Sequence, residues 1–181
     1  MAGSENRILL ILDLDETLIH SVDNALGSEA DFSVGELLVY QRPHLREFLK
    51  GCSEVFDIAI WSSGGSEYVS AIVNVIFPVT QPVFVWSRSR CTEKFDPETN
   101  CVFFKKDLKK VTRRGYSLKK ILVVEDQKRN LQGQYGNAVY VSPFLGDMND
   151  AELKDLLPFL QRLATAEDVR AIEKRSWIWT R

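Results

Sequence analysis

Residues 8–12 form an uninterrupted apolar run, ILLIL, that ends directly at Asp13, and a second aspartate follows at Asp15. A strand that is apolar on both faces is typical of a parallel sheet covered by helices on both sides. In open α/β sheets, ligands bind beyond the carboxyl ends of the strands. The sequence therefore predicts a buried strand that brings two carboxylates to a binding site.

Four later apolar runs predict further strands of the same kind. They are VFDIAIW (55–61), PVFVW (82–86), ILVVE (121–125) and AVYVS (138–142). Helical spacing or helix boundary signals lie between or after them, at residues 43–52, 66–77 and 150–164. Pro43 and Gly51 mark the expected start and end of the first helix, and Pro158 predicts a kink in the last. This alternation predicts an α/β fold with a parallel sheet.

Two other segments, residues 32–40 and 91–104, predict β-hairpins, and the second of them turns at DPETN. About 47 residues separate Asp13 from Trp61, and the first hairpin and a helix occupy most of them. This spacing leaves no room for a large cap domain, so we expect the site to be open.

The composition predicts one globular domain over residues 1–181, because 45% hydrophobic residues are enough to fill one core. The net charge of -2, from 23 basic and 25 acidic residues, predicts no general attraction to nucleic acid or to a membrane surface. No apolar stretch approaches the ~20 residues of a membrane span, and the N-terminus lacks a secretory signal. Cys52, Cys91 and Cys101 lack CxxC spacing and are predicted to be reduced thiols. We therefore expect a soluble intracellular protein of the cytoplasm or nucleus.

Asp13 and Asp15 lie two residues apart, so in an extended segment both carboxylates face one site while Leu14 turns toward the core. Two neighbouring carboxylates in a low dielectric need a cation, a shared proton, or both. Mg²⁺ fits best, because it takes oxygen ligands and commonly uses one or two carboxylates. The alternative is that Asp15 or Thr17 caps a following helix. Capping accounts for one aspartate and leaves the other unexplained.

The stretch DLDETLIHS, residues 13–21, resembles the first motif, DxDx(T/V), of the haloacid dehalogenase superfamily. Its flanks are similar to the branch of the small RNA polymerase II C-terminal-domain phosphatases and their NLI-interacting-factor-like relatives. Residues 40–49, YQRPHLREFL, residues 105–108, KKDL, and residues 137–160 are similar to further segments of that branch. The resemblance covers nearly the whole chain. It implies a Rossmann-like three-layer α/β sandwich with a central parallel sheet, small hairpin insertions and no large cap domain.

The resemblance also implies catalytic roles. In the superfamily the first aspartate attacks phosphorus and becomes an aspartyl phosphate, which makes Asp13 the expected nucleophile. Asp15 is expected to protonate the leaving oxygen and then to activate water, while its backbone carbonyl helps to hold the metal. Ser62 is the expected phosphate-binding hydroxyl, and Ser63 follows it where relatives usually have Ala. Lys106 is expected to neutralise the nucleophile and the transferring phosphoryl group.

Glu125 and Asp126 occupy the position of the last motif, where this branch often has Asp-Asn. Alignment gives Asp126 the metal-ligand position and makes Glu125 a second ligand or the partner of one. Arg88 lies where the family's substrate-contacting arginine falls, although the hairpin after it is longer here. The expected metal ligands are Asp13, Asp15, Glu125 and Asp126. The expected substrate-binding residues are Ser62, Ser63, Arg88 and Lys106.

An open site admits a phosphate that is displayed on a macromolecule. The predicted function is therefore Mg²⁺-dependent hydrolysis of phosphoserine or phosphothreonine in a protein or peptide. One alternative is another uncapped phosphohydrolase that acts on nucleic-acid ends or small phosphate esters. Another is a binding module that keeps the fold and has little or no activity.

The basic stretch from Lys105 to Lys120 predicts a docking patch for phosphorylated or acidic protein segments. A solvated helix face is one alternative for this stretch, and nucleic-acid binding is a less favoured one. His20 and His44 are predicted to be structural hydrogen-bonding residues. The indoles of WIWT, residues 177–180, are predicted to pack on the body of the protein, with a partner site as the alternative.

Overall fold

The computed structural model describes residues 7–79, 81–175 and 177. Its strands are β1 (Ile8–Leu12), β2 (Ile19–Val22), β3 (Phe32–Val34), β4 (Leu37–Gln41), β5 (Phe56–Trp61), β6 (Val85–Trp86), β7 (Thr92–Asp96), β8 (Cys101–Lys105), β9 (Ile121–Glu125) and β10 (Ala138–Tyr140). Its α-helices are α1 (Leu45–Val55), α2 (Ser66–Ile76), α3 (Lys109–Thr112) and α4 (Glu152–Leu163).

A five-stranded parallel sheet forms the middle of the fold, in the order β10-β9-β1-β5-β6. The strand β1 lies at its centre, and Leu12 pairs with Ile60 of β5 and Val124 of β9. All five residues of β1 are fully buried. The predicted central strand is confirmed, and its neighbours end at the same edge of the sheet as β1.

Each face of the sheet carries a separate apolar layer. Ile8, Leu10 and Leu12 point into the layer that contains the buried residues of α1, α2 and α4. Leu9 and Ile11 point into the opposite layer, which includes residues of α3 and the aromatic side chains beside β6. The run ILLIL is apolar at every position because both faces of β1 are covered. This arrangement is the predicted three-layer α/β sandwich.

Small antiparallel sheets flank the central sheet. The strands β2, β4 and β3 form one of them, and β7 and β8 form the other as a hairpin. Both predicted hairpins are therefore present. No large domain is inserted between β1 and β5, where every residue is described.

The chain forms a turn after Asp15 and continues into β2, so the alternative that Asp15 or Thr17 caps a helix is wrong. Glu16 adopts a positive φ of 56°, and Leu18 N donates a hydrogen bond to Leu14 O over 2.8 Å. Phe144 N donates to Glu16 O from a distant segment. The turn is therefore fixed by tertiary contacts as well as by its own sequence.

Several predicted boundaries differ from the structure. The helix α1 runs past Gly51 to Val55, which was expected to begin the next strand. A Cβ atom at Gly51 would lie 2.8 Å from Leu157 Cδ2, so this glycine allows α1 and α4 to approach closely and does not end a helix. Only Val85 and Trp86 of the predicted strand 82–86 form a ladder. Pro158 lies inside α4, and the expected kink there stays a prediction.

The three cysteines are free, as expected of reduced thiols. Within the described part of the chain, no helix combines the length and apolar character that crossing a bilayer requires. Trp177 is buried, and its indole Nε1 donates to Tyr140 O over 2.9 Å. This confirms the packing prediction for Trp177, whereas Trp179 lies outside the described residues.

Candidate active site

The carboxyl edge of the central sheet collects polar side chains from four parts of the chain. Asp13 follows β1, and its backbone N–H donates to Val124 O of β9. Ser62 follows β5, and Glu125 is the last residue of β9. Lys106 follows β8 and is fully buried. The fold thus brings residues that are far apart in sequence to one place.

Lys106 joins two buried carboxylates. Its Nζ atom lies 2.6 Å from Asp13 Oδ1 and 2.6 Å from Glu125 Oε2. Its backbone is held on both sides, because Lys106 N donates to Asn130 O and Lys106 O accepts from Gln134 Nε2. Burial alone would lower the pKa of Lys106, but the two carboxylates outweigh burial and raise it. Lys106 is therefore a buried ammonium ion.

The carboxylates around Lys106 carry more negative charge than one ammonium can balance. Burial and then the charge of Glu125 raise the pKa of Asp13 to about 8, against the opposing effect of Lys106. Burial and then Asp13 raise the pKa of Asp126. Burial also raises the pKa of Glu125. Each raised pKa means that the ionised carboxylate is disfavoured at this site unless a cation binds or a proton is taken up.

One carboxylate oxygen from each of Asp13, Glu125 and Asp126 lies within 4.8 Å of the others, so these three residues form a group that can hold a metal ion. Carboxylate oxygens are the ligands that hard divalent cations take. The excess negative charge and the donor chemistry both fit such a cation. The side chain of Asp15 does not belong to this group.

The two acidic residues after β9 differ in how their oxygens are used. Glu125 Oε2 accepts from Lys106, and Oε1 accepts from Asn130 Nδ2 and from Gln127 N, each over 3.1 Å. Asp126 accepts one side-chain hydrogen bond, from Gln127 Nε2 to Oδ2. Asp126 is half-buried, whereas Glu125 is fully buried. Asp126 therefore has more capacity left for a metal ion, and Glu125 is engaged in holding Lys106.

Asp15 is held by hydroxyl groups. Tyr68 Oη donates to Asp15 Oδ1 over 2.5 Å, and Ser62 Oγ donates to Asp15 Oδ2 over 3.2 Å. Ser62 Oγ also accepts from Gly64 N over 2.8 Å. A Cβ atom at Gly64 would lie 2.9 Å from the Tyr68 ring and 3.2 Å from Ser62 Oγ. Gly64 thus allows the Ser62 loop to pack closely against Tyr68.

Tyr68 is a site residue that the sequence analysis missed. Burial and then the charge of Asp15 raise the pKa of Tyr68, so its hydroxyl stays protonated and can donate. The same hydroxyl lies 2.6 Å from Ser21 Oγ on β2. One signal for Tyr68 was available: it lies in the first turn of the helix that follows the Ser62 loop, and that turn borders the site.

Arg88 lies at the border of the Ser62 loop. Its Nε atom donates to Ser63 O over 2.7 Å, and its backbone N–H donates to Gly64 O over 2.9 Å. Ser63 is half-buried and Arg88 is exposed. These two residues adjoin the site and are not part of the carboxylate group.

The basic stretch from Lys105 to Lys120 is not one solvated helix face, because its α-helix spans only Lys109–Thr112. Lys110 Nζ donates to two backbone carbonyls, and Lys120 Nζ donates to Ala166 O. The basic side chains of this stretch therefore contact different parts of the protein.

His20 Nδ1 lies 3.2 Å from Glu16 Oε1, which confirms a structural hydrogen bond for His20. His44 precedes α1 in a left-handed conformation and makes no capping hydrogen bond. The structure therefore gives His44 a backbone role at the start of α1.

A parallel α/β sheet with two aspartates after its central strand and a buried lysine beside them defines a haloacid-dehalogenase-like fold. Residues 8–170 match the family described as NLI interacting factor-like phosphatase, and the chain belongs to this family.

Curated relatives agree with this assignment. The chain is 30% identical over 179 residues to the human protein named "Carboxy-terminal domain RNA polymerase II polypeptide A small phosphatase 1", covering 94% of this chain and 65% of that protein. It is 27% identical to "Phosphatase Herzog" of Drosophila melanogaster, covering 92% of this chain and 47% of that protein. The chain thus spans between about half and two thirds of the length of these relatives.

Solved structures share the fold. The structure of Fcp1, an essential RNA polymerase II CTD phosphatase, superposes with a TM-score of 0.59 at 21% identity, covering 88% of this chain and 49% of that one. An uncharacterized protein from Listeria monocytogenes serotype 4b also gives a TM-score of 0.59, at 17% identity, covering 86% of this chain and 98% of that one. At these identities the likeness concerns the fold alone.

Proposed function

We propose that this protein is a Mg²⁺-dependent phosphatase that removes phosphate from phosphoserine or phosphothreonine in proteins, through an aspartyl phosphate on Asp13. The observation that carries the proposal is the contact of 2.6 Å between Lys106 Nζ and Asp13 Oδ1 at the open carboxyl edge of the sheet. Lys106 favours the ionised form of Asp13, which is the form that attacks, and it offsets the charge of an incoming phosphate. Burial and Glu125 oppose this effect and raise the pKa of Asp13, so a bound Mg²⁺ would be needed to favour the ionised form further.

In the first step, Asp13 forms a bond to phosphorus while the bond from phosphorus to the serine or threonine oxygen breaks. Asp15, in its protonated form, gives its proton to the leaving oxygen, so the product is a neutral hydroxyl group. Tyr68 and Ser62 hold the two oxygens of Asp15 and fix its direction. Lys106 offsets negative charge on the phosphoryl oxygens in the transition state.

In the second step, a water molecule attacks phosphorus and the bond from Asp13 to phosphorus breaks. Asp15, now a carboxylate, takes a proton from that water. Inorganic phosphate leaves, and both aspartates return to their starting states. Ser62, whose Oγ atom accepts from Gly64 N, and the loop that it begins are proposed to bind the phosphate oxygens.

Asp13 and Asp126 would hold Mg²⁺, with the Asp15 backbone carbonyl as a further ligand and Glu125 as the anchor of Lys106. The bound cation would offset the charge of the phosphate and of the three clustered carboxylates. Ser63 and Arg88 are proposed to contact the substrate at the border of the site.

Two features support a protein substrate. No cap domain is inserted between β1 and β5, so a phosphate on a large molecule can reach the carboxyl edge. Two of the named relatives, the human small phosphatase 1 and Fcp1, are named as phosphatases of the C-terminal domain of RNA polymerase II. We extend the proposal to a phosphorylated protein segment as partner and to an intracellular location in the cytoplasm or nucleus. A single domain over residues 1–181 stays a prediction.

The test compares hydrolysis of p-nitrophenyl phosphate and of phosphoserine peptides with and without Mg²⁺. We expect Mg²⁺-dependent release of phosphate from both, and no release by Asp13→Asn. Asp23→Asn, in an exposed loop, is the matched control and is expected to retain full activity. Full activity of Asp13→Asn would exclude the proposed nucleophile. A preference for 3'-phosphorylated oligonucleotides or small phosphate esters over phosphopeptides would exclude the proposed substrate class.

A further inference from the structure

Two exposed arginines lie against the same aromatic ring beside the site. The guanidinium carbon of Arg90 lies 5.5 Å from the centre of the Trp86 ring, and that of Arg114 lies 5.8 Å from the same centre. Arg114 also lies 4.9 Å from the centre of the Phe84 ring. Both aromatic side chains are buried, so the arginines cover them from the solvent side. We call Phe84, Trp86, Arg90 and Arg114 the arginine ledge.

The ion pairs that the described part of the chain forms do not include the two arginines of the ledge. Among the described residues, neither Arg90 nor Arg114 lies within 4.0 Å of a carboxylate oxygen. Arg42 and Arg175, in contrast, each form an ion pair. An arginine that stacks on an aromatic ring keeps the N–H groups along its edge available for an anion. The ledge therefore presents two guanidinium edges that have no ion-pair partner among the residues the structure describes.

The ammonium group of Lys110 holds the backbone at Arg90 and adds a third positive charge beside the ledge. Lys110 Nζ donates to Arg90 O over 2.8 Å and to Cys91 O over 3.1 Å. Arg90 N donates to Ser87 O in a short 3₁₀ turn that directly follows β6. The guanidinium group of Arg90 therefore extends from a braced turn, which lowers the entropy lost when it binds an anion.

The ledge lies beside the phosphate site, at a distance that a peptide can span. Ser62 N donates to Trp86 O over 2.9 Å, which joins the Ser62 loop to the start of the ledge. The strand β6 is two strands away from β1, and neighbouring strands are about 4.8 Å apart, so the backbone of Trp86 lies about 10 Å from the backbone of Asp13. An extended peptide rises about 3.3 Å per residue. A second anionic group two to four residues from the first would therefore reach the ledge.

We propose that the arginine ledge binds a second phosphate on the same substrate segment, two to four residues from the phosphoserine or phosphothreonine that is hydrolysed. Phosphate fits the ledge because the planar fork of a guanidinium donates two hydrogen bonds to phosphate oxygens. The inference rests on the proposed phosphatase function and specifies its substrate as a multiply phosphorylated protein segment.

The test measures kcat/KM for matched peptides that carry one phosphoserine, or the same phosphoserine with a second phosphoserine two, three or four residues away on either side. The native protein is expected to prefer at least one doubly phosphorylated peptide by about tenfold, mainly through a lower KM. A double substitution, Arg90→Gln with Arg114→Gln, is expected to reduce that preference to less than twofold. Peptides with aspartate in place of the second phosphoserine are expected to show an intermediate preference.

The matched control is Arg162→Gln, because Arg162 also stacks on an aromatic ring, Phe159, on α4 at the opposite face of the sheet. It is expected to retain the preference in full. An unchanged preference in the double variant would overturn the proposal, and so would a native protein that hydrolyses all the peptides at the same rate. The proposal would also be overturned if the double variant lost more affinity for single-stranded RNA than for the doubly phosphorylated peptides. A native protein without any Mg²⁺-dependent phosphatase activity would instead contradict the proposed function.

Discussion

The hydroxyl of Tyr68 donates a hydrogen bond of 2.5 Å to Asp15 Oδ1 and connects the first turn of α2 to the turn that carries both aspartates. Ser62 holds the other oxygen of the same carboxylate. The proposed general acid is thus fixed by two neutral donors, while the proposed nucleophile, Asp13, is fixed by the charge of Lys106. Two aspartates two residues apart therefore have different surroundings, as their different tasks require.

Removal of the Tyr68 hydroxyl is expected to slow catalysis. Tyr68→Phe keeps the ring but leaves Asp15 with one hydroxyl donor, so kcat should fall about tenfold with little change in KM. Steady-state kinetics with a phosphoserine peptide measure both constants. Ser21→Ala is the control, because it removes the other contact of the Tyr68 hydroxyl, and we expect a smaller effect. Native kcat in Tyr68→Phe would show that Tyr68 does not position Asp15.

Neutral substitutions at Asp126 and Glu125 are expected to change different properties, the Mg²⁺ requirement in the first case and the free energy of unfolding in the second. Asp126→Asn should raise the Mg²⁺ concentration for half-maximal activity by about tenfold, because it weakens a metal ligand. Glu125→Gln should mainly lower the free energy of unfolding, because Lys106 loses one of its two carboxylates. Mg²⁺ titrations of activity and urea denaturation separate these effects. A higher Mg²⁺ requirement in Glu125→Gln, together with a lower free energy of unfolding in Asp126→Asn, would make Glu125 the main metal ligand.

The stability of the metal-free protein is expected to fall as the pH rises from about 4 to above 8. The pKa of Asp13 is about 8 in the folded chain and near its ordinary value of 3.8 in the unfolded chain. Between these values the folded chain holds a proton that the unfolded chain has lost, so the contribution of Asp13 to stability is complete below pH ~4 and lost as the pH passes through ~8.

Mg²⁺ should therefore stabilise the protein more at high pH, because metal binding requires deprotonated carboxylates. The increase in Tm on adding Mg²⁺ is expected to be larger at about pH 8.5 than at about pH 6. Asp13→Asn should reduce this difference, whereas Asp23→Asn should retain it. An equal increase in Tm at both pH values would contradict the expected competition between Mg²⁺ and the proton on Asp13.

The pair between Arg42 and Asp150 is expected to contribute to the stability of the aspartate turn. Arg42 is almost fully buried, and its Nε and Nη2 atoms donate to Asp150 over 2.9 and 2.8 Å. Arg42→Met deprives Asp150 of its guanidinium partner and should lower the free energy of unfolding by about 3 kcal/mol. Arg175→Met, which breaks the exposed pair with Glu173, should have no measurable effect in the same urea titration. Similar small losses in both variants would refute the structural role of Arg42.

Loss of the Ser62 hydroxyl should lower kcat/KM by about tenfold, because Asp15 loses a donor and the Gly64 N–H loses its acceptor. Ser62→Thr keeps a hydroxyl and should be less impaired than Ser62→Ala. Ser33→Ala, on the exposed side of β3, is the control and should match the native protein. Equal activity of Ser62→Ala and the native protein would remove Ser62 from the site.

The sequence predicted the parts of the fold that depend on burial. The strands β1 and β9 are apolar on both faces, so their composition reveals them directly. The turn after Asp15 could not be predicted in the same way, because Phe144 N and Arg42 hold it from other parts of the chain. Gly51 was misinterpreted because the need for a glycine comes from Leu157 on a different helix.

The candidate site likewise contains residues that the sequence predicts and residues that only the fold reveals. Asp13, Asp15 and Lys106 are predictable from motifs, because the chemistry requires charged groups at fixed positions. Tyr68 was missed because a tyrosine in an amphipathic helix usually indicates core packing, and only the fold brings its hydroxyl to Asp15. The division between Glu125 and Asp126 depends on hydrogen bonds from Asn130 and Gln127, which the sequence does not indicate.

The bond from Arg42 to Asp150 joins residues that are 108 positions apart. Arg42 also donates to Thr17 O, so one side chain links the turn after Asp15 to the segment that precedes α4. During synthesis, the ribosome makes both aspartates long before it makes Asp150. Arg42 can therefore form this ion pair, and brace the turn through it, only after most of the chain has been synthesised.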